Sequence, residues 1–251
     1  MSTPKIAPKV APKIAVVTGG GSGLGRVMAT ALLDAGHRVV VAGRTRASLE
    51  SVDGADPFVA DVTDADAVAA LFDHVRSAYG RLDLLVNNAG VFGPAAGVAS
   101  VSDEDWQAVV DTNLTGSFRC AREAFRIMAG QDPRGGRIVN NGSISAHVPR
   151  PDAVAYTATK HAITGLTKAL ALEGRAHDIA VSQIDIGNAA TEMTAGFGSG
   201  TRQADGTLRP EPTMDAAHVG ELVAYMAALP LSANVQFVTL MATNMPYVGR
   251  G

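Results

Sequence analysis

Residues 13–25 read KIAVVTGGGSGLG, and this stretch decides the fold. Its first six residues are apolar and partly β-branched, which is typical of a buried β-strand. The glycines follow directly, and apolar residues then recur at helical spacing over residues 26–36. Strand, glycine-rich turn and helix in this order predict a dinucleotide site, because glycine lets the backbone approach a pyrophosphate at a helix N-terminus. The alternative is a flexible glycine loop that binds nothing.

The end of the second predicted strand, residues 37–42, indicates which dinucleotide is bound. An NAD site places an acidic residue about 20 residues after the glycines, where it binds the ribose 2′-hydroxyl. Here the strand is followed by Gly43 and Arg44, with Arg46 close behind. Because a guanidinium suits a 2′-phosphate, the sequence favours NADP(H) over NAD(H). The alternative is that Arg44 is a solvated residue at a strand end.

The rest of the chain alternates strands with helices. Apolar runs predict strands at residues 57–60, 82–86, 137–140, 180–186 and 235–241, and periodic segments predict helices at residues 64–79, 102–128, 156–173 and 218–228. Such alternation indicates a parallel sheet covered by helices. The predicted fold class is therefore α/β, a doubly wound parallel sheet of about seven strands with helices on both faces.

Composition limits the classes of protein to consider. The chain has 251 residues, 47% hydrophobic and 18% charged, which suits one α/β domain. A net charge of −3 and a pI near 6 give no field that would recruit nucleic acid or an acidic membrane. Cys120 is the lone cysteine, so an intramolecular disulfide is excluded, and no zinc pattern is present.

The N-terminus and the location follow from similar arguments. A proline-punctuated repeat in residues 1–12 predicts a flexible, extended tail ahead of a single domain at residues 13–251. We find no apolar signal-peptide core and no run of membrane-spanning length. A reduced, cytoplasmic location is expected.

Tyr156 and Lys160 stand four residues apart on one predicted helix and so share a face. A lysine cation favours the phenolate and lowers the tyrosine pKa, which makes the pair a candidate general acid and base. The helix begins just after the fifth strand, whose carboxyl end is at Ser143. Asp61, residues 87–90 and the glycine turn also follow strands, and ligands bind beyond the carboxyl ends of parallel strands. These segments are therefore expected to meet at one cleft.

Together these motifs resemble those of the short-chain dehydrogenase/reductase family, in its compact single-domain branch, from residue 13 onward. The matching features are the glycine motif at 18–25, the Asn-Asn-Ala-Gly motif at 87–90, Asn113 within residues 112–116, Ser143, and Tyr156 with Lys160. The resemblance implies a Rossmann-like fold and an NAD(P)-dependent oxidoreductase that transfers a hydride between its cofactor and a carbonyl or alcohol.

The resemblance also implies roles for single residues. Ser143 would polarise the substrate oxygen, and Tyr156 would exchange a proton with it. Lys160 would lower the tyrosine pKa and hold the nicotinamide ribose, and Asn113 would anchor a water that relays the proton. The implied cofactor-binding residues are Gly19, Gly21, Ser22, Gly23, Leu24, Gly25, Arg44, Asp61, Val62, Asn88, Ala89, Gly90, Tyr156, Lys160, Gly187 and Thr191.

The substrate side departs from the family pattern. After the sixth strand the family usually has Pro-Gly, whereas this chain has Ile186-Gly187, preceded by Asp185, whose orientation the sequence leaves open. Residues 188–213 are rich in glycine and proline and predict a mobile substrate lid with no packed element. The apolar tail, residues 241–251, would pack locally, shape the substrate pocket or contact a partner subunit.

Candidate substrate contacts surround the Ser143–Tyr156 pair. His147 and Val148 would lie at the rim of the pocket, and Phe92 would form part of the other wall. His147 is assigned to the rim because Tyr156 already serves as the acid and base. Arg150 has the charge to bind an anionic substrate, but we expect a solvated side chain beside its two prolines.

The leading hypothesis is an NADP(H)-dependent reductase of ketone or 3-oxoacyl type. The alternatives are an NAD-dependent alcohol or sugar dehydrogenase and a non-catalytic dinucleotide-sensing module. The set of Ser143, Tyr156 and Lys160 favours an enzyme, since a sensor would not need it. The resemblance implies a homotetramer, or a homodimer, through helices 102–128 and 156–173 and the last strand. We expect no metal, nucleic acid or membrane as partner.

Overall fold

The sheet is parallel and has seven strands. The computed structural model of the protein describes residues 12–198 and 200–248. The strands are β1 Ile14–Thr18, β2 Arg38–Gly43, β3 Asp56–Val59, β4 Leu84–Asn87, β5 Gly136–Asn141, β6 Ile179–Gly187, β7 Thr201–Arg202, β8 Leu208–Arg209 and β9 Phe237–Met241. All but β7 and β8 form the large sheet, in the order β3-β2-β1-β4-β5-β6-β9. This confirms the predicted fold class. The predicted tail at residues 1–12 lies almost wholly outside the described residues.

Helices cover both faces of this sheet. They are α1 Gly23–Asp34, α2 Arg46–Glu50, α3 Ala65–Tyr79, α4 Asp103–Val110, α5 Ser117–Gly130, α6 Val154–Gly174 and α7 Ala217–Ala228. Alternate strand residues point to opposite faces. Val17 and Val41 pack in a cluster with α1 and α7, whereas Val16 and Val40 pack in a second cluster with α3, α5 and the later part of α6. The core therefore lies in two layers, one on each side of the strands.

The strand order places a crevice at the carboxyl ends of β1 and β4. From β1 the chain proceeds outward to β2 and β3, then returns to β4 on the other side of β1. In doubly wound sheets the ligand binds at the point where the strand order reverses. The loops after β1 and β4 therefore face a ready-made cleft.

The segment predicted as one helix, residues 102–128, has an irregular centre. Ser102 caps α4, because its Oγ accepts a hydrogen bond from the Asp105 amide at 3.0 Å. Between α4 and α5 the backbone widens into a π-helical segment, Asp111–Gly116. Gly116 lets this segment pack closely, since a Cβ there would come within 2.7 Å of Val62 Cγ2. Helical periodicity does not reveal such a local widening.

Two short regions contain elements that the sequence did not predict. The five-residue helix α2 follows β2. The lid region contains a 3-10 segment, Glu192–Gly198, and a small hairpin of β7 and β8. At the hairpin turn, the Asp205 carboxylate accepts hydrogen bonds from the amide and hydroxyl of Thr207. The glycine and proline content reflects this tight turn, so the prediction of a lid with no packed element is wrong.

Among the described residues, no helix has the length and apolar character to cross a membrane. Within the same residues, no group of three or more histidine, cysteine or acidic side chains is placed to hold a metal ion. Cys120 is fully buried in α5, and burial raises the pKa of its thiol to about 12.

Candidate functional site

A cleft of about 420 Å³ lies at the predicted crevice. It is lined by almost all of the sixteen residues implied as cofactor-binding, from the glycine turn to Thr191. Gly187 does not line it, although its neighbours Ile186 and Asn188 do. Further lining residues that the sequence did not single out include Thr45, Ser48, Val91, Thr112, Asn141, Gly142 and Thr194.

The glycine turn forms the floor of the cleft. Gly19 has φ +63°, a left-handed conformation that favours glycine. A Cβ at Gly25 would overlap the carbonyl oxygen of Gly19, so only glycine allows the turn and α1 to approach so closely. Ser22 makes no side-chain cap and the first turn of α1 carries no acidic residue. The amide groups of that turn therefore suit an anion.

The loops after β1 and β4 are joined by hydrogen bonds. Thr18 Oγ1 accepts from the amides of Asn88 and Ala89, each at 3.0 Å. Asn88 Nδ2 donates to the Thr18 carbonyl oxygen at 2.9 Å, and Asn88 Oδ1 accepts from Asn141 Nδ2 at 2.9 Å. Three strand ends are thus held in one arrangement. Sequence reasoning gave Thr18 no role beyond the glycine motif. A hydroxyl residue at the end of an apolar strand could have indicated that it binds a neighbouring loop.

One end of the cleft carries charged groups. Arg44 is exposed and lines the cleft beside Thr45, whereas Arg46 belongs to α2 and pairs with Glu50 at 3.4 Å. Burial opposes ionisation of Asp61, yet hydrogen bonds from Thr63 and the charge of Arg44 lower its pKa. Arg44 therefore supplies positive charge at the end of β2.

Tyr156 and Lys160 line the other end of the cleft. Ser143 does not line it, but its side chain is hydrogen-bonded to Tyr156. Lys160 Nζ donates to the Asn141 carbonyl oxygen at 2.7 Å and lies 5.5 Å from the centre of the Tyr156 ring. Burial lowers the pKa of Lys160 to about 8, and the charge of Asp185 opposes this shift.

We expected Lys160 to lower the pKa of Tyr156, and this is wrong for the structure as it stands. Burial raises the pKa of the Tyr156 phenol, and a hydrogen bond with Ser143 only partly offsets the effect. The reason is that desolvation penalises the phenolate more than the nearby groups stabilise it. The phenol is therefore held in its protonated form.

Asn113 lies in the π-helical segment with its side chain buried. Its Oδ1 accepts from the Val91 amide at 2.8 Å, and its Nδ2 donates to the Val91 carbonyl oxygen at 2.9 Å and to Thr159 Oγ1 at 3.2 Å. These bonds fix the segment that follows Gly90 along the cleft. The widened turn is what allows one asparagine to reach both Val91 and α6.

Asp185 faces the site from β6, which answers the question that the sequence left open. It is buried, its Oδ1 accepts from the Ser143 amide at 3.0 Å, and its Oδ2 lies 2.7 Å from His147 Nε2. Ser143 also caps a 3-10 turn, Ile144–Ala146, by accepting from the Ser145 amide. The catalytic serine candidate is therefore held by its backbone as well as by its side chain.

Arg150 is not a solvated side chain, contrary to our expectation. It is buried, and one of its nitrogens donates to Glu211 Oε2 at 2.8 Å and to Asn188 Oδ1 at 2.7 Å. Glu211 also accepts from Asn188 Nδ2 and from Gln203 Nε2. These four residues, named here the lid anchor, join the loop before α6 to both ends of the lid. Two flanking prolines gave no indication of this partner 61 residues away.

The remaining walls of the substrate side are apolar. The rings of Phe92 and Tyr156 lie 4.9 Å apart between their centres. Ala242 and Met245 of the tail are buried against Ile144, so the described part of the tail packs beside the Ser143 turn. Val148 is half-buried, and its amide donates to the carbonyl oxygen of Ile144.

Comparisons with known sequences give a consistent result. A family model described as short chain dehydrogenase matches residues 13–201. A 3beta-hydroxysteroid dehydrogenase from Mediterraneibacter gnavus is 40% identical over 187 residues, which cover 71% of this chain and 67% of the relative. A 3-oxoacyl acyl-carrier-protein reductase from Staphylococcus aureus is 38% identical over 189 residues, covering 72% of this chain and 76% of the relative.

Solved structures show the same architecture. A 3-ketoacyl acyl-carrier-protein reductase from Brucella melitensis, solved in complex with NADH, superposes with a TM-score of 0.81 at 26% identity. The superposition covers 92% of this chain and 98% of the other. A short-chain alcohol dehydrogenase from Sinorhizobium meliloti gives a TM-score of 0.78 at 32% identity, with 92% and 95% covered.

Proposed function

Because the chain belongs to the short-chain dehydrogenase/reductase family, we propose that it is an NADP(H)-dependent reductase of ketone or 3-oxoacyl-type substrates. The family assignment makes it an oxidoreductase that transfers a hydride between a nicotinamide cofactor and a carbonyl or alcohol. The proposal adds the cofactor preference, the direction, the substrate type and the residue roles. The observation that carries it is one cleft with the glycine turn and Arg44 at one end and Tyr156 and Lys160 at the other, where Tyr156 is hydrogen-bonded to Ser143.

The described residues fit a nicotinamide dinucleotide. The cradle formed by Gly19 and Gly25 is one that a side chain would fill, and the first turn of α1 offers uncapped amides to a pyrophosphate. Arg44 carries the charge that a 2′-phosphate needs. The alternative of an NAD-dependent alcohol or sugar dehydrogenase would leave this guanidinium without a role.

When bound, NADPH supplies the hydride. Ser143 donates a hydrogen bond to the substrate carbonyl oxygen and polarises it. As the carbonyl carbon receives the hydride, its oxygen takes the proton of Tyr156, and the product is an alcohol. The Lys160 ammonium stabilises the phenolate that is left. Burial keeps the Tyr156 phenol protonated, so it has a proton to donate in the reductive direction.

Asn113 is assigned a positioning role, because its side chain is used in bonds with Val91 and Thr159. These bonds hold the wall of the cleft next to Gly90. The relay of protons through a water on Asn113 stays a prediction. Val148 and His147 are retained as substrate-rim residues.

The test of function is turnover. The purified protein is mixed with NADPH and a panel of ketones and 3-oxoacyl thioesters, and the loss of reduced cofactor absorbance is followed. Oxidation of NADPH that depends on the carbonyl compound supports the proposal. Turnover only with NAD+ and alcohols would favour the dehydrogenase alternative. Cofactor binding without turnover in either direction would favour the non-catalytic dinucleotide-sensing module.

We also propose a cytoplasmic homotetramer. Phe118 on α5 is 44% exposed and Leu172 on α6 is 62% exposed, and Trp106 on α4 is also exposed. Large apolar side chains at the surface of neighbouring helices favour burial against a second copy. Light scattering at micromolar concentration should give a tetramer. A dimer would retain only one of the interfaces, and a monomer would contradict the proposal.

A further inference from the structure

The carboxylate of Asp185 is shared between Ser143 and the rim of the substrate side. Its Oδ1 accepts from the Ser143 amide and, at 2.7 Å, from Gln183 Nε2. Gly142 makes room for it, because a Cβ at that position would overlap Oδ1. Its Oδ2 is left to face His147. One oxygen therefore has two donors from the protein interior, and the other oxygen holds a histidine.

His147 carries this interaction to the surface. It follows the 3-10 turn that Ser143 caps, and its side chain is 42% exposed, against 2% for Asp185. A carboxylate only accepts hydrogen bonds, so Nε2 must carry a proton and donate it to Oδ2. In the neutral ring Nδ1 is then an acceptor. Within the described residues, Nδ1 of His147 makes no hydrogen bond.

The position of this acceptor suggests what it recognises. Ser143 touches Asp185 through its amide and Tyr156 through its hydroxyl, so His147 is one shared carboxylate away from the pair that would hold the reacting carbonyl. We propose that Asp185 is a positioning residue that fixes His147 as a hydrogen-bond acceptor for a substrate hydroxyl close to the reacting carbonyl. The preferred substrates would then be hydroxyketones, and diols in the reverse direction. This inference rests on the proposed carbonyl reductase function.

The hydrogen-bond pattern predicts a specific consequence of Asp185→Asn. In this variant the Ser143 amide and Gln183 Nε2 still donate hydrogen bonds. The amide oxygen of the new asparagine must therefore point toward these two donors. Its NH2 group must then face His147, whose Nε2 has to accept. The ring proton moves to Nδ1, which becomes a donor. The substitution should therefore reverse the hydrogen-bond preference at the substrate and not merely weaken binding.

The experiment compares three small ketones that differ at one group. Hydroxyacetone offers a hydroxyl donor, methoxyacetone offers only an acceptor, and butanone offers neither. The full-length protein is assayed with NADPH at pH 8. We expect hydroxyacetone to exceed the other two in kcat/KM by about tenfold, the value of one good hydrogen bond. In His147→Gln the ratio of the hydroxyacetone kcat/KM to the butanone kcat/KM should fall to about one.

In Asp185→Asn, methoxyacetone should gain over butanone and hydroxyacetone should lose its lead. His218→Gln is the matched control, because His218 is exposed on α7 and pairs only with Glu221 among the described side chains. Nitrogen NMR gives a second readout that needs no activity. The His147 signal, assigned by its loss in His147→Gln, should show a protonated Nε2 in the wild type and a protonated Nδ1 in Asp185→Asn.

The outcomes separate the inference from the function beneath it. Equal use of hydroxyacetone and butanone, or an advantage that survives in His147→Gln, overturns the inference and leaves the reductase function standing. A wild-type ring protonated on Nδ1 alone overturns it as well. If Asp185→Asn does not fold, the kinetics of His147→Gln and the wild-type NMR signal still test whether His147 accepts a hydrogen bond from the substrate. Failure to reduce any of the three ketones, or the wider panel, would contradict the proposed function itself.

Discussion

The two ends of the cleft are built in different ways. The cofactor end is made mostly of backbone: the glycine turn, the first turn of α1 and the loop at Asn88, joined by short hydrogen bonds through Thr18. The substrate end is made of side chains from distant segments, such as Asp185 with His147 and Arg150 with Glu211. A backbone cradle depends little on side-chain identity, whereas the contacts of the substrate end depend on particular side chains. The cofactor end should therefore determine which dinucleotide binds, and the substrate end should determine which carbonyl compound is reduced.

The largest expected effect comes from Tyr156, the proposed proton donor. Tyr156→Phe removes the proton donor but keeps the ring that packs on Phe92, so kcat should fall by about a thousandfold. NADPH affinity should change little, because the glycine turn and Arg44 are untouched. Steady-state kinetics and a fluorescence titration give both quantities. Retained turnover would remove Tyr156 from its proposed role.

A methyl group at Gly25 tests the cofactor end. Gly25→Ala forces the glycine turn away from α1, so NADPH affinity should fall by more than about tenfold, and overpacking should cost about 1–3 kcal/mol of unfolding free energy. Gly130→Ala is the control, since nothing lies near a Cβ at the end of α5 and the change should stay within about 1 kcal/mol. Equal affinities in the two variants would mean that the turn does not cradle the cofactor.

The lid anchor tests the substrate end. Arg150→Ala removes the buried guanidinium that donates to the Glu211 carboxylate, so the unfolding free energy should fall by about 3 kcal/mol. Arg209→Ala breaks an exposed pair with Asp205 and should cost no more than about 1 kcal/mol. Urea unfolding measures both. The NADPH affinity should be unchanged in the two folded variants. A loss of NADPH affinity in Arg150→Ala alone would mean that the cofactor and substrate ends are coupled.

A smaller effect should appear in acid. Burial opposes ionisation, yet hydrogen bonds from Arg150, Asn188 and Gln203 lower the pKa of Glu211 from an ordinary 4.5 to about 2. The folded carboxylate therefore adds stability above pH 4.5, and this contribution is lost as the pH falls toward 2. Glu211→Gln should flatten the pH dependence of stability in that window. A curve as steep as that of the wild type would show that Glu211 is not the titrating group.

The difference between the two ends also explains what the sequence could predict. The parallel sheet and the glycine cradle follow from apolar runs and from glycines that a turn requires, which are local patterns. The Asp185–His147 pair joins residues 38 positions apart, and the lid anchor joins residues 61 positions apart, so no local pattern reports them. The expectation for the Tyr156 pKa was wrong for the same reason. The burial that raises this pKa comes from segments distant in sequence, which the helical spacing of Tyr156 and Lys160 does not report.

The most direct test of the account is a paired titration of the protein with NADPH and NADH, followed by nicotinamide fluorescence. NADPH should bind at least about tenfold tighter than NADH, since a charged hydrogen bond of Arg44 with the 2′-phosphate is worth about 1.5–3 kcal/mol. This preference should vanish in Arg44→Ala and persist in Arg46→Ala, whose parent side chain pairs with Glu50. Equal or tighter NADH binding would contradict the NADP(H) assignment, and binding of neither would contradict the dinucleotide cleft.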